Sequence, residues 1–153
     1  MTAATIMNAH PVALQAGDTV AHAIGVMLEH RLSNVPVVDA GKHFLGQFSM
    51  RGLMRLLLPR AATLDEGLVD LSFVADAPEH LRQRLQQIGG EKIADHLDDT
   101  PACVEPDAHL TETLLHLYRH GESLAVVDKT SGALAGVISP WDVVAGLSQR
   151  GQA

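Results

Sequence analysis

The strongest constraint on this chain is that it repeats itself. Gly46-Gln47-Phe48-Ser49-Met50-Arg51-Gly52 and Gly136-Val137-Ile138-Ser139-Pro140-Trp141-Asp142 share one frame at an offset of 136 − 46 = 90 residues. In the later copy an apolar strand ends at Ser139 and runs straight into Pro140. Proline is favoured in a first helical turn, where its missing N–H removes no hydrogen bond. Ser139 is therefore predicted to cap a helix, and Asp142, three residues on, sets a carboxylate at the positive end of the helix dipole. A chain built this way folds as two equivalent units.

Each unit reads as strand, helix, strand, strand, helix. In the first, Pro11 to Leu14 is a brief strand that turns at Ala16-Gly17, and Asp18 or Thr19 caps a helix of about 14 residues. Its apolar stripe is Val20, Ala23, Ile24, Met27 and Leu28. Val35-Pro36-Val37-Val38-Asp39 is a buried strand, Ala40-Gly41-Lys42 a tight turn, and Phe44 to Phe48 the returning partner. A short helix from Met50 to Leu58 is stopped by Pro59. In the second unit, Ile93-Ala94 answers Ile6-Met7 and Pro101 to Val104 answers Pro11 to Leu14. A helix over His109 to His120 carries Leu110, Thr113, Leu114, Leu117 and Tyr118 on the matching stripe, followed by Leu124 to Asp128 and Ala133 to Ile138. The units span 4–58 and 92–148. The linker, 59–91, is partly helical: Leu64, Leu68, Leu71 and Val74 recur at helical steps, and Pro78 opens a second segment that Gly89-Gly90 closes. It is too apolar for a flexible tether and is expected to pack against the pair or at an oligomer surface.

With 46% hydrophobic and 19% charged residues, 153 residues can bury a core without polar low-complexity tracts. A net charge of −7 and no lysine–arginine stripe exclude nucleic acid as partner. No run of eighteen apolar residues and no basic start followed by an apolar stretch is present, so the expectation is a soluble cytoplasmic protein that engages no membrane. Lone Cys103 can form no internal disulfide, and its mid-strand apolar setting predicts a buried, inert thiol.

Catalytic signatures are missing. There is no nucleophile elbow, phosphate loop or paired-carboxylate arrangement, and Asp98-Asp99 reads as a turn before Pro101; the chain is expected not to be an enzyme. Nine histidines invite a metal reading, and His116 and His120 have the i, i+4 spacing of a helical ligand pair. No third ligand is placed and the first copy lacks the pair, so no metal site is assigned. Ser139 with Asp142 is a capping box in any helix, worth about 1 kcal/mol. A capped N-terminus is also an anion site.

Two copies of this order, each with an apolar run ending in Asp and then the Gly-containing junction, resemble the cystathionine β-synthase (CBS) domain pair. The resemblance implies an α+β (mixed α/β) fold in which two small mixed sheets with flanking helices pack with pseudo-twofold symmetry, often as a homodimer. It implies a regulatory module that needs no cofactor, takes AMP, ADP, ATP or S-adenosylmethionine in a cleft, and signals to an effector protein. Carried over residue by residue, the junction would set Ser139 near phosphate and Asp142 on the ribose hydroxyls. Cys103, Val104, Ser123, Leu124 and Ala125 would hold the base. The first copy departs from the pattern, with Gly52 where the ribose Asp would stand; Ser49, Asn34, Val35 and Pro36 would then line a weaker second cleft. The competing readings are a purely structural dimerisation module with vestigial clefts, supported by Gly52, and a small metal-binding protein using His116 and His120.

Overall fold

A computed structural model of the protein describes residues 1–58, 78–98 and 101–150. The predicted leucine series of the linker, Leu64 to Val74, lies outside the described residues, as does Asp99.

A one-turn helix α1 (Ala3–Ile6) opens the first unit, which continues with β1 (Leu14–Gln15), α2 (Val20–His30), β2 (Asn34–Val38), β3 (Phe44–Ser49) and α3 (Met50–Leu57). After α4 (Pro78–Gly89) and a 3-10 turn at Ile93–His96 come β4 (Cys103–Val104), α5 (Leu110–His120), β5 (Leu124–Val127), β6 (Leu134–Ile138) and α6 (Pro140–Arg150). Both sheets have the same topology. β1 and β4 run parallel to β2 and β5, which pair antiparallel with β3 and β6. The register slips at the same place in each, between Val37 and Val38 and between Val126 and Val127. The hairpin turns of the two sheets meet through Phe44 N–H to the Gly132 carbonyl (2.9 Å) and Leu134 N–H to the Lys42 carbonyl (3.1 Å). The mixed α/β duplication is as the sequence predicts.

Three details differ from expectation. The strand at Pro11 contracts to Leu14–Gln15, since Pro11 has no N–H for a ladder and only Leu14 and Gln15 align, with Val37 and Val38. α2 is shorter than about 14 residues: Thr19 accepts the His22 N–H at 3.1 Å at one end, and Arg31 turns left-handed (φ 52°) at the other. The helical stripes are also narrower than drawn. Val20, Ala23 and Met27 are buried, as are Thr113 and Leu117, but Leu28 is 66% and Tyr118 87% exposed. A helix lying on one three-stranded sheet covers only the near edge of its stripe.

Two cores result, and each borrows from the other unit. Leu14, Val20, Met27, Val35, Val37 and Phe48 pack with Ile88 of α4 and with Ile93, which is fully buried. Val104, Leu117, Leu124, Val126, Ile138 and Val143 pack with Ala3, also fully buried. The segment leading into each unit thus seats in its neighbour. Ala3 N–H and Ala4 N–H donate to Ala108 and Pro106, while Val20 N–H and Ile93 N–H tie the second leader to the first unit through Glu91 and Asp18. Burying an isoleucine side chain is worth about 1.5–3 kcal/mol, enough to hold the exchange.

Candidate functional site

The leader exchange decides which residues meet. Beyond Ile6, Asn8 pairs with Val137 of β6; beyond Ile93, Asp98 donates its N–H to the Gln47 carbonyl of β3 at 2.9 Å. The approach is close: a Cβ on Gly136 would stand 2.6 Å from the Asn8 carbonyl oxygen, so only glycine fits there. Each junction therefore faces the leader of the opposite unit, and the first also faces Ser123, just ahead of β5.

At the first junction a cavity of about 250 Å³ opens between the units, just below the range of small-molecule pockets, which starts at about 300 Å³. Asn34, Gln47, Ser49, Arg51, Gly52 and Arg55 form one wall; Asp98, Ala102, His120, Glu122 and Ser123 form the other. A continuous hydrogen-bond chain crosses it. The Asn34 amide donates to the Ser123 carbonyl (2.9 Å) and to Gln47 Oε1 (3.3 Å), and Gln47 Nε2 donates to Asp98 Oδ2 (2.9 Å). Ser49 Oγ donates to Asp98 Oδ1 (3.0 Å) while accepting the Gly52 N–H (3.0 Å), which caps α3. Asn34 and Ser49 are themselves buried, so the network is desolvated where it crosses, and each hydrogen bond there weighs more than in water.

Charge of both signs faces the cavity. Arg51 and Arg55, four residues apart on α3, share one helical face. Opposite them Glu122 is held above its ordinary pKa, first by burial and then by the Asp98 carboxylate, with Arg51 and His120 opposing. His120 stacks on His116, the ring centroids 6.2 Å apart; among the described residues no three metal-ligating side chains come together.

The residues grouped by sequence into one second-unit cleft are dispersed. Ser123 lines the cavity with Ser49 and Asn34, across the repeat boundary. Leu124 and Ala125, with Pro36, close a seam between the sheets with room for about 10 Å³. Val35 and Val104 are core residues. Cys103 is exposed, not buried as expected, because side chains alternate along a strand and Val104 takes the inward position. At the second junction Asp142 Oδ2 accepts both the Ser139 N–H (2.8 Å) and Ser139 Oγ (2.9 Å), a reciprocal capping box. Neither residue lines the cavity or the seam, and Trp141 beside them is 83% exposed. Asp98, read from the sequence as a turn residue, is the cavity residue that reading missed.

Two sheets of identical mixed topology, related by a leader exchange and enclosing a polar cleft at their junction, define a tandem-repeat α/β module. The family model for the CBS domain matches the chain twice, over residues 3–59 and 93–149, and the chain belongs to the CBS domain family. Among curated proteins none is significantly similar in sequence. Among solved structures, the CBS-pair protein CBSX2 from Arabidopsis thaliana is similar with a TM-score of 0.76 at 19% identity, over 99% of this chain and 97% of that one. CBSX2 in complex with AMP is similar at 0.70 and 19%, covering 97% and 96%. AcuB of Vibrio cholerae, linked to acetoin utilization, is similar at 0.72 and 22%, covering 99% and 93%. At such identities the likeness is one of fold.

Proposed function

We propose that this CBS pair is a non-catalytic sensor that takes an adenosine nucleotide into the cavity between its repeats and passes its occupancy to an effector protein. The observation that carries this reading is the cavity itself, a polar, partly desolvated cleft whose two walls belong to different repeats. It offers an arginine pair for a phosphate, carboxylates for hydroxyl groups, and backbone at the start of β5 for a base. The AMP complex of CBSX2, a protein of the same fold, supports adenosine as the nucleoside. Met54 and Leu58 at α3, and Trp141, Val144 and Leu147 on α6, stay exposed, apolar surface of the kind that a homodimer would cover.

Calorimetric titration with AMP, ADP, ATP and S-adenosylmethionine tests the reading. Saturable binding of at least one adenosine ligand, near one equivalent per chain, is the expected result. Heats indistinguishable from dilution for all four, from a protein that light scattering shows to be dimeric, would leave a purely structural dimerisation module.

A further inference from the structure

The two junctions are built alike except for where their carboxylate comes from. In the second, Ser139 is paired with Asp142 of its own helix, Asn8 sits in the leader position, and Val137 occupies the strand beside it. In the first, the helix position holds Gly52, the leader position holds Asp98, and the strand position holds Gln47, whose amide binds Asp98. Three positions have changed together, and one carboxylate beside the junction serine remains in each copy. The space agrees: a Cβ on Gly52 would lie 3.1 Å from Asp98 Oδ1 and 3.4 Å from Ser49 Oγ, so the Asp98 carboxylate fills the place that a side chain at position 52 would take.

We propose that Asp98 is the ribose-binding carboxylate of the first cleft, supplied from the opposite repeat, and that the cleft thereby selects a ribonucleoside 5′-phosphate over its 2′-deoxy counterpart. A carboxylate oxygen accepts two hydrogen bonds. Ser49 takes one on Oδ1 and Gln47 one on Oδ2, which leaves one acceptor on each oxygen for the two hydroxyls of a vicinal diol. Those bonds are charge-assisted, and the two existing ones fix the carboxylate before the ligand arrives. Arg51 and Arg55 on the facing helix receive the phosphate. The inference rests on the nucleotide reading above and deepens it.

The test compares AMP with 2′-deoxy-AMP on four proteins: wild type, Asp98→Ala, Asp98→Asn, and Asp98→Ala combined with Gly52→Asp. Wild type should prefer the ribonucleotide. Asp98→Ala should weaken AMP by about ten- to a hundredfold, the worth of charge-assisted hydrogen bonds, and bring the two ligands level. Asp98→Asn keeps the shape and a partner for Ser49, so it serves if the alanine variant does not fold; it too should lose the preference. The double variant returns a carboxylate from position 52 and should recover it. If AMP binds and Asp98→Asn keeps the wild-type preference, the assignment of Asp98 is wrong while the nucleotide reading stands. If no adenosine nucleotide binds wild type, that reading fails and takes the assignment with it.

Discussion

Replacing Asp142 by alanine separates two tasks that one motif could perform. Oδ2 of Asp142 accepts the Ser139 N–H at 2.8 Å and Ser139 Oγ at 2.9 Å, and the Asp142 N–H returns to Ser139 Oγ at 3.3 Å. The substitution dissolves a capping box, worth about 1 kcal/mol, and removes a charge from the first turn, worth about 0.3–1 kcal/mol. Alanine's better helix propensity returns about 0.5 kcal/mol. The net loss is about 1 kcal/mol, which in a protein of this size lowers Tm by about 2–4 °C. The side chain lines neither the cavity nor the seam between the sheets, so AMP affinity should hold within about twofold, and the emission of Trp141 next to it should not follow AMP saturation. Melting curves, calorimetry and fluorescence on one preparation measure all three. A tenfold or greater loss of AMP affinity at unchanged Tm would refute the reasoning, since tenfold corresponds to about 1.4 kcal/mol of ligand contact, and would move the nucleotide to the second junction.

Two further perturbations probe the architecture and the cavity. Gly136→Ala sets a methyl group 2.6 Å from the Asn8 carbonyl oxygen and 2.8 Å from Met7 Sδ, so the leader must move; urea unfolding should show a loss of about 1–3 kcal/mol, whereas Gly25→Ala on α2, with nothing within 4 Å, should gain about 0.5–1 kcal/mol. Glu122 has a raised pKa in the folded protein and so binds its proton more tightly there than in the unfolded chain. Its contribution is therefore fully present below the ordinary glutamate range, near pH 4, and is lost as pH rises through the folded value. Glu122→Gln should accordingly raise Tm at pH 7 and leave it unchanged near pH 3.5, and melting across that range checks the sign.

The duplication was legible because each unit repeats a hydrophobic pattern whose period changes in the same order, and the junction caps because Ser-x-x-Asp and Ser-x-x-Gly announce a helix start locally. What joins the units was not legible. An offset of 90 residues says that Ala3 and Ile93 stand in equivalent places, but not that each seats beside the other unit's sheet, since that depends on contacts between residues such as Asn8 and Val137 that no local pattern encodes. The site inherited this gap: Ser123 was placed with Ser139, while the exchange brings it to Ser49. Cys103 was misplaced because a two-residue strand is too short for alternation to show in sequence. Asp98 was missed although a signal existed. Gln47 against Val137 is a polar gain and Asp98 against Asn8 a gain of charge in the copy that carries Gly52 where the other has Asp142, so the missing carboxylate and its replacement stand in the same alignment of the copies.

The exchange also bears on how occupancy could become a signal. A ligand shifts a conformational equilibrium only by as much as it prefers one arrangement over the other, so a cleft formed within a single repeat would leave the relation between repeats untouched. Here the walls belong to different repeats, and Asp98 hangs between them: its backbone is bonded to Gln47, its leader is anchored in the first core by Ile93, and the chain beyond it continues into β4 of the second unit. Ser123 and Glu122, at the start of β5, face it from the second unit across the Asn34 bond. A ribose held by Asp98 with its phosphate on Arg51 and Arg55 would bridge elements whose spacing is set by the angle between the sheets, and that angle also fixes how α3 and α6 present Met54 and Trp141. The self-satisfied cap at Ser139 and Asp142 lines neither this cavity nor the seam between the sheets, so the coupling is expected from the first junction.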